Sequence, residues 1–262
     1  MSSDLLPSIV RIARDAGDAI LSIYDTDFKV EQKADESPLT AADLASHKRI
    51  EAGLADLDTQ LPVLSEESRE IPFSERSTWP RYWLVDPLDG TKEFVKRNGE
   101  FTVNIALIDG HRPVLGVVHV PVTGVTYFAA DGEGAFRQNG DDAATRIAVH
   151  DQPRTPLVVG SRSHRSDEVN AYLANLGEHD MVAMGSSLKF CVVAEGGADV
   201  YPRLGLTSEW DTAAAHAVVN GAGGRVVRLD GSDLDYNAKD DILNPHFMVL
   251  GNPTRDWLSY LP

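Results

Sequence analysis

The sequence is nearly without cysteine: Cys191 stands alone among 262 residues. One thiol forms no internal disulfide, which fits a reducing compartment and excludes a small disulfide-stapled fold. Its neighbours Phe190, Val192 and Val193 mark it as a small buried hydrophobe, not a nucleophile, for which a basic cluster is wanting. No apolar run approaches the length of a membrane span, and Met1-Ser2-Ser3-Asp4 has neither a basic region nor an apolar run, so a cytoplasmic protein is expected. Internal repeats and low-complexity linkers are absent. Basic residues are in deficit, 24 Lys and Arg against 40 Asp and Glu, for a net charge of −16. That balance argues against nucleic-acid polymers and anionic membrane surfaces as partners. An acidic chain acting on an anionic substrate needs a local correction, which bound divalent cations would supply; simple solubility is the ordinary alternative.

What is present is enough apolar material for a large core, 42% of residues, with 24% charged. Residues 4–25 carry Leu5, Ile9, Ile12, Ala16, Ile20 and Tyr24 at helical spacing. A polar link spans 25–37, and Thr40 caps a second helix through Leu44, His47, Ile50 and Leu54. A strand at 62–64 delivers Ser65, Glu66 and Glu67, and 68–80 reads as a polar loop. After Phe94 come strands at 101–108, 114–120 and 125–129 with Gly-containing turns, then a short strand between turns at 132–136 and 138–140: an antiparallel meander. Near residue 150 the pattern changes to alternating strands (157–160, 181–184, 198–201) and helices (167–176, 186–195, 210–220), closed by strands at 224–229 and 246–250. Two subdomains with an extensive interface follow, 1–147 and 148–262.

The stretch around which the chain is organised is Trp83-Leu84-Val85-Asp86-Pro87-Leu88-Asp89-Gly90-Thr91-Lys92-Glu93-Phe94. An apolar, β-branched and aromatic run reads as a buried strand, stopped by the proline and glycine. Asp86 and Asp89 then sit at a strand's C-terminal end, where α/β folds place their chemistry. Clustered carboxylates repel unless a cation lies between them, and oxygen ligands suit a hard cation such as Mg²⁺. By itself, Asp-x-x-Asp-Gly is equally an ordinary surface turn.

The stretch resembles the Asp-Pro-(Ile/Leu)-Asp-Gly-Thr metal-binding signature of the inositol monophosphatase superfamily. Leu64-Ser65-Glu66-Glu67 upstream and Trp210-Asp211-Thr212-Ala213-Ala214-Ala215 downstream match two further motifs in order, and the likeness covers nearly the whole chain. Lys92-Glu93-Phe94 is similar to the 3'(2'),5'-bisphosphate nucleotidase branch, where inositol phosphatases more often carry Thr/Ser-x-Asn-Phe. The resemblance implies an α/β (α+β) fold, the layered α/β/α/β/α sandwich of the inositol monophosphatase and fructose-1,6-bisphosphatase type. It implies two or three Mg²⁺ ions: Glu66, Asp86 and the Leu88 carbonyl hold one, and Asp86, Asp89 and Asp211 another. In the Thr40-Ala41-Ala42-Asp43 segment, Asp43 accepts a proton from Thr91, whose hydroxyl orients the attacking water, and Glu66 shares this role. Read alone, Asp43 and Asp211 are acids in the first turns of helices, favoured by the dipole.

The amides of Gly90 and Thr91 suit the scissile phosphate. Ser186, Lys189 and Arg203 match the residues that bind the nucleotide in this branch, Lys189 and Arg203 suiting a second phosphate by charge; otherwise they are a helix cap and surface charges. The Ser161–Arg165 loop adds polar and basic groups, His164 contacting base or ribose or lying on the surface. The implied reaction is Mg²⁺-dependent removal of the 3'-phosphate of 3'-phosphoadenosine 5'-phosphate, giving AMP and phosphate, with inhibition by lithium. The partner is a small phosphorylated nucleotide; the oligomeric state stays open, a homodimer among the options. The competing readings are an inositol monophosphatase or fructose-1,6-bisphosphatase with the same metal chemistry, and a non-catalytic metal- or nucleotide-binding module, which would not need Asp43 and Thr91. A haloacid-dehalogenase-type phosphatase is excluded by spacing, since that class wants one residue between its acids and Asp86 and Asp89 have two. Residues 25–37 are expected to form a flap over the metals.

Overall fold

The computed structural model describes residues 2–26, 30–32, 38–152, 154–160 and 166–262. The first helix, α1 (Ser2–Tyr24), puts Ile9, Ile12, Ala13, Ala16 and Ile20 on one buried face, as the spacing predicts. The link that follows is not wholly irregular: β1 (Val30–Gln32) pairs antiparallel with β2 (Pro38–Thr40). Residues 27–29 and 33–37, most of the expected flap, lie outside the described residues, as do 161–165 with His164. Helix α2 (Ala41–Ala55) starts at the Thr40 cap.

Among the described residues the largest sheet has seven strands in the order β3-β4-β5-β6-β7-β8-β9. They are β3 (Val63–Ser65), β4 (Arg81–Asp89), β5 (Thr102–Asp109), β6 (Arg112–Val120), β7 (Val125–Ala130), β8 (Gly134–Asn139) and β9 (Thr145–Ile147). From β4 onward the sheet is an antiparallel meander, while β3 joins β4 in parallel. Strand β8 is one continuous element across the two expected turns, its Phe136 stacked on Phe128 of β7 at 5.7 Å. The loop before β4 contains a helical turn, α3 (Phe73–Arg76), because Arg76 N–H closes on Pro72 C=O at 3.1 Å and its side chain is buried against Asn237 and Asp240.

Strand β4 corrects one expectation. It runs through Pro87 to Asp89, with a register shift between Asp86, opposite Asn104, and Asp89, opposite Thr102. Between these pairs two residues on β4, Pro87 and Leu88, face one on β5, Val103, so the proline occupies a bulge where no ladder donor is needed. The strand ends at Gly90, whose φ of +97° opens α4 (Thr91–Val95).

The second sheet, in the order β11-β10-β12-β14-β13, comprises β10 (Leu157–Gly160), β11 (Asp180–Ala183), β12 (Val200–Arg203), β13 (Arg225–Arg228) and β14 (Phe247–Leu250). Helix α5 (Asp167–Leu176) and a closing 3₁₀ turn (Trp257–Tyr260) cover its outer face through Tyr172, Leu173, Leu176 and Trp257. Helices α6 (Leu188–Ala194) and α7 (Ala213–Gly221) fill the space between the sheets. Alternate residues of β4 divide accordingly. Trp83 and Val85 join the core under α1 and α2, while Tyr82 and Leu84 join the core shared with α6, α7 and the second sheet. The result is the expected α/β/α/β/α layering. Both α6 and α7 begin two or three residues later than the sequence predicts, which leaves Ser186 and Asp211 in the turns that precede them.

Helix α7 lies so close to β6 that a Cβ on Gly116 would stand 2.1 Å from the Ala214 carbonyl oxygen. Gly116→Ala therefore displaces the central helix. The expected cost is about 3 kcal/mol, read as a lower urea midpoint with an unchanged slope. An unchanged midpoint would show that the two layers are free to separate.

Candidate active site and metal centre

Asp86 and Asp89 leave the first sheet on either side of the Pro87 bulge, and Asp211 reaches them from the turn before α7. One carboxylate oxygen from each lies within 4.8 Å of the others. Each acid is tethered by its own local geometry. Leu88 N–H donates to Asp86 Oδ1 at 3.0 Å. Asp89 Oδ2 accepts from Ser187 N–H at 2.5 Å and from Asn104 Nδ2 at 3.4 Å. Asp211 Oδ2 accepts from the Thr207 hydroxyl at 2.7 Å and from Ser208 N–H at 2.9 Å. Asp211 is thus a turn residue fixed by two donors behind it, not an acid opening a helix, because Thr212 supplies the residue before α7.

Burial raises the pKa of all three acids, that of Asp86 being driven well above the ordinary 3.8 by desolvation and then by Glu66, Asp89 and Asp211. Asp89 rises to about 7 through burial and Asp211, opposed by Lys189, Ser187 N–H and Asn104. Asp211 is raised by burial and pulled back by Thr207, Ser208, Arg203 and Lys189. Three oxygen donors that repel one another in a partly buried place are the donor set of a hard divalent cation, so residues and ion fit.

Glu66 follows β3, its N–H donating to Val85 C=O at 3.2 Å, and its charge bears on Asp86. The expected Asp43–Thr91 pair is brought together across 48 residues: Thr91 Oγ1 donates to Asp43 Oδ1 at 3.3 Å and lies 3.4 Å from the Leu88 carbonyl. Asp43 is simultaneously the capping acid of α2. Its Oδ2 accepts from Thr40 N–H at 2.8 Å and from the Thr40 hydroxyl at 2.7 Å, while Thr40 Oγ1 accepts from Ala42 N–H. The capping and catalytic readings of this residue are therefore compatible, since each uses a different oxygen.

Beside the acids opens a cleft of about 490 Å³ that includes Asp89, Gly90, Lys189, Tyr201, Arg203 and Asp211 in its walls. Lys189 Nζ donates to Ser186 C=O at 2.6 Å and stands 5.7 Å from the Tyr201 ring centre. Burial lowers its pKa, against the pull of Asp89, Glu93 and Asp211. The Arg203 guanidinium donates to Leu206 C=O and leaves its Nε without a partner among the described residues. Ser186, Lys189 and Arg203 thus share one cleft with Asp89 and Asp211. Cys191 is buried, its thiol raised by desolvation, in keeping with a packing role.

Sequence reasoning missed the supports. Thr102 and Asn104 are buried polar residues two apart on an otherwise apolar strand, a signal that was readable. Ser187 gave none, because its amide does the work. Glu209, two residues before Asp211, is buried, accepts from Asn237 N–H at 2.8 Å and has its pKa lifted to about 7 by desolvation.

The family model described as the inositol monophosphatase family matches residues 2–254. The 3'(2'),5'-bisphosphate nucleotidases CysQ of Salmonella typhimurium and of Escherichia coli strain K12 are each 53% identical over 247 residues, covering 94% of this chain and 99% of theirs. The crystal structure of CysQ from Bacteroides thetaiotaomicron, a bacterial member of the inositol monophosphatase family, superposes with a TM-score of 0.85 at 43% identity, covering 98% of this chain and 99% of its own.

Because the folded acids hold protons that the unfolded chain would release, the metal-free protein loses this contribution to stability as pH rises from about 4 through about 7. A divalent cation, which needs the same acids deprotonated, acts in the opposite sense. The gain in Tm on adding Mg²⁺ to chelator-treated protein should therefore grow between pH 5 and pH 8. A gain independent of pH would separate cation binding from these carboxylates.

Proposed function

The chain belongs to the inositol monophosphatase family, in its 3'(2'),5'-bisphosphate nucleotidase branch, and from that premise we propose that it removes the 3'-phosphate of 3'-phosphoadenosine 5'-phosphate with Mg²⁺ as its ion, leaving AMP and phosphate. Its class is phosphoric monoester hydrolase. The observation that carries the mechanism is the meeting of three carboxylates with the Thr91–Asp43 pair at one strand end.

Glu66, Asp86, Asp89, Asp211 and the Leu88 carbonyl would hold the ions, two or three in number. Bound there, Mg²⁺ supplies positive charge to the phosphoryl group and acidity to water. The chain's own residues orient and deprotonate. Thr91 Oγ1 directs its hydrogen toward Asp43 Oδ1 and keeps lone pairs for an attacking water. As the water yields a proton to Thr91, the threonine's own passes to Asp43, whose other oxygen stays fixed by Thr40. Glu66, beside Asp86, shares the base role. The N–H groups of Gly90 and Thr91 bind the scissile phosphate, and Ser186, Lys189 and Arg203 take the distal one.

We also divide the chain at 147/148. The strands of the seven-stranded sheet precede this point and those of the five-stranded sheet follow it, with Asp211 and the distal-phosphate residues in the second part. No helix among the described residues is long and apolar enough to cross a membrane, and the buried single thiol accords with a cytoplasmic setting.

Two measurements test the reading. Phosphate release with Mg²⁺ is compared for 3'-phosphoadenosine 5'-phosphate, inositol 1-phosphate and fructose 1,6-bisphosphate; the nucleotide should turn over fastest, and equal or reversed rates would remove the substrate assignment. Thr91→Ala should lower kcat by about a hundredfold or more while the Kd for the nucleotide changes little. Retained turnover in that variant would dismiss the Thr91–Asp43 relay.

A further inference from the structure

The turn before α6 is clamped to the first sheet on both sides of Ser186. Gly185 N–H donates to Glu100 Oε2 at 2.8 Å. Ser187 N–H donates to Asp89 Oδ2, and Ser187 Oγ lies 2.8 Å from Thr102 Oγ1 and 2.9 Å from Asn104 Oδ1. Between these anchors Ser186 has a φ of +41°, a left-handed conformation that residues with a Cβ rarely adopt. Its Oγ is buried and has no hydrogen-bond partner among the described residues. Such a conformation persists only where its surroundings over-determine it, and here the neighbouring residues supply that constraint. The space is tight as well: a Cβ on Gly185 would meet the Glu100 carbonyl oxygen and Glu93 Cγ at 3.0 Å. Lys189 follows the same turn, since its amine donates to Ser186 C=O.

We propose that Glu100 is a positioning residue for substrate selection. Through Gly185 N–H its carboxylate holds Ser186 left-handed, and so aims Ser186 Oγ and Lys189 at the distal phosphate of a bisphosphate substrate. This rests on the assignment of Ser186 and Lys189 to that phosphate. Glu100 lines the cleft together with Glu93, and a carboxylate facing an anionic substrate weakens its binding by repulsion. Charge alone therefore predicts that removing Glu100 improves the enzyme, whereas the clamp predicts the reverse.

The experiment measures kcat and KM of wild type, Glu100→Ala, Glu100→Gln and Glu100→Asp on 3'-phosphoadenosine 5'-phosphate and on adenosine 3'-monophosphate, which lacks the distal phosphate. Glu100→Ala should lower the ratio of the two kcat/KM values about tenfold, chiefly through KM for the bisphosphate. Glu100→Gln keeps an acceptor oxygen and should hold the ratio within about threefold of wild type, while Glu100→Asp, one methylene shorter, should fall with the alanine variant. A ratio in Glu100→Ala at or above wild type overturns the proposal. If Glu100→Ala does not fold, as judged by circular dichroism, the Gln and Asp variants carry the same comparison, and equal ratios in those two overturn it. Lys189→Ala is assayed alongside. A fall in its ratio with none in Glu100→Ala rejects the clamp alone, and no fall in either rejects the distal-phosphate assignment beneath it.

Discussion

The mutual repulsion of Asp86, Asp89 and Asp211 is the constraint on which the rest of this structure depends. Three carboxylates with oxygens within 4.8 Å of one another, in a place that water reaches poorly, oppose folding unless they are protonated or neutralised by a cation. Most of the polar architecture nearby serves to keep them together. Leu88 N–H, Ser187 N–H and Ser208 N–H each fix one acid, and each comes from a different segment of the chain. Amide donors carry no net charge, so they orient the acids without consuming their affinity for a cation.

The layering follows from the same need. Asp86 and Asp89 are exported at the end of β4, while Asp211 has to arrive from the opposite side. It does so because α7 lies between the two sheets, where Ala213, Ala214 and Ala215 permit a close approach to β6 at Gly116. Small residues on the helix and a missing side chain on the strand bring the third acid within range. The same interlayer position joins the turn before α6 to β5 through Thr102 and Asn104 and to β4 through Asp89, so the cleft that receives the substrate is built partly from each sheet.

Much of this was legible in the residues. The continuous apolar run ending in Asp86-Pro87-Leu88-Asp89-Gly90-Thr91 declared a buried strand with acids at its end, and helical spacing declared α1 and α2. Thr40 was legible as a cap and Asp43 as a first-turn acid, although nothing local showed that an oxygen of Asp43 would face Thr91, since that meeting joins residues 48 apart. Pro87 was read as a stop because local rules treat proline as one; only pairing with β5 shows that it occupies a bulge. Ser186 and Asp211 were read as helix starts because turn and first-turn residues have the same composition, while the hydrogen bonds that separate them are made to distant partners.

Local pattern thus determined most of the elements, because periodicity, capping and turn chemistry are properties of neighbours in the chain, while the layer class and the identities of the acids came by resemblance. Tertiary structure alone decided the rest. Glu66, Asp86, Asp89 and Asp211 share no helical or strand period, so their convergence depends on how α7 packs between two sheets. The clamp on Ser186 depends on Glu100, 85 residues from the amide it holds. A backbone N–H is the same in every residue but proline, so its partner is written nowhere in the sequence and is fixed only when the layers close.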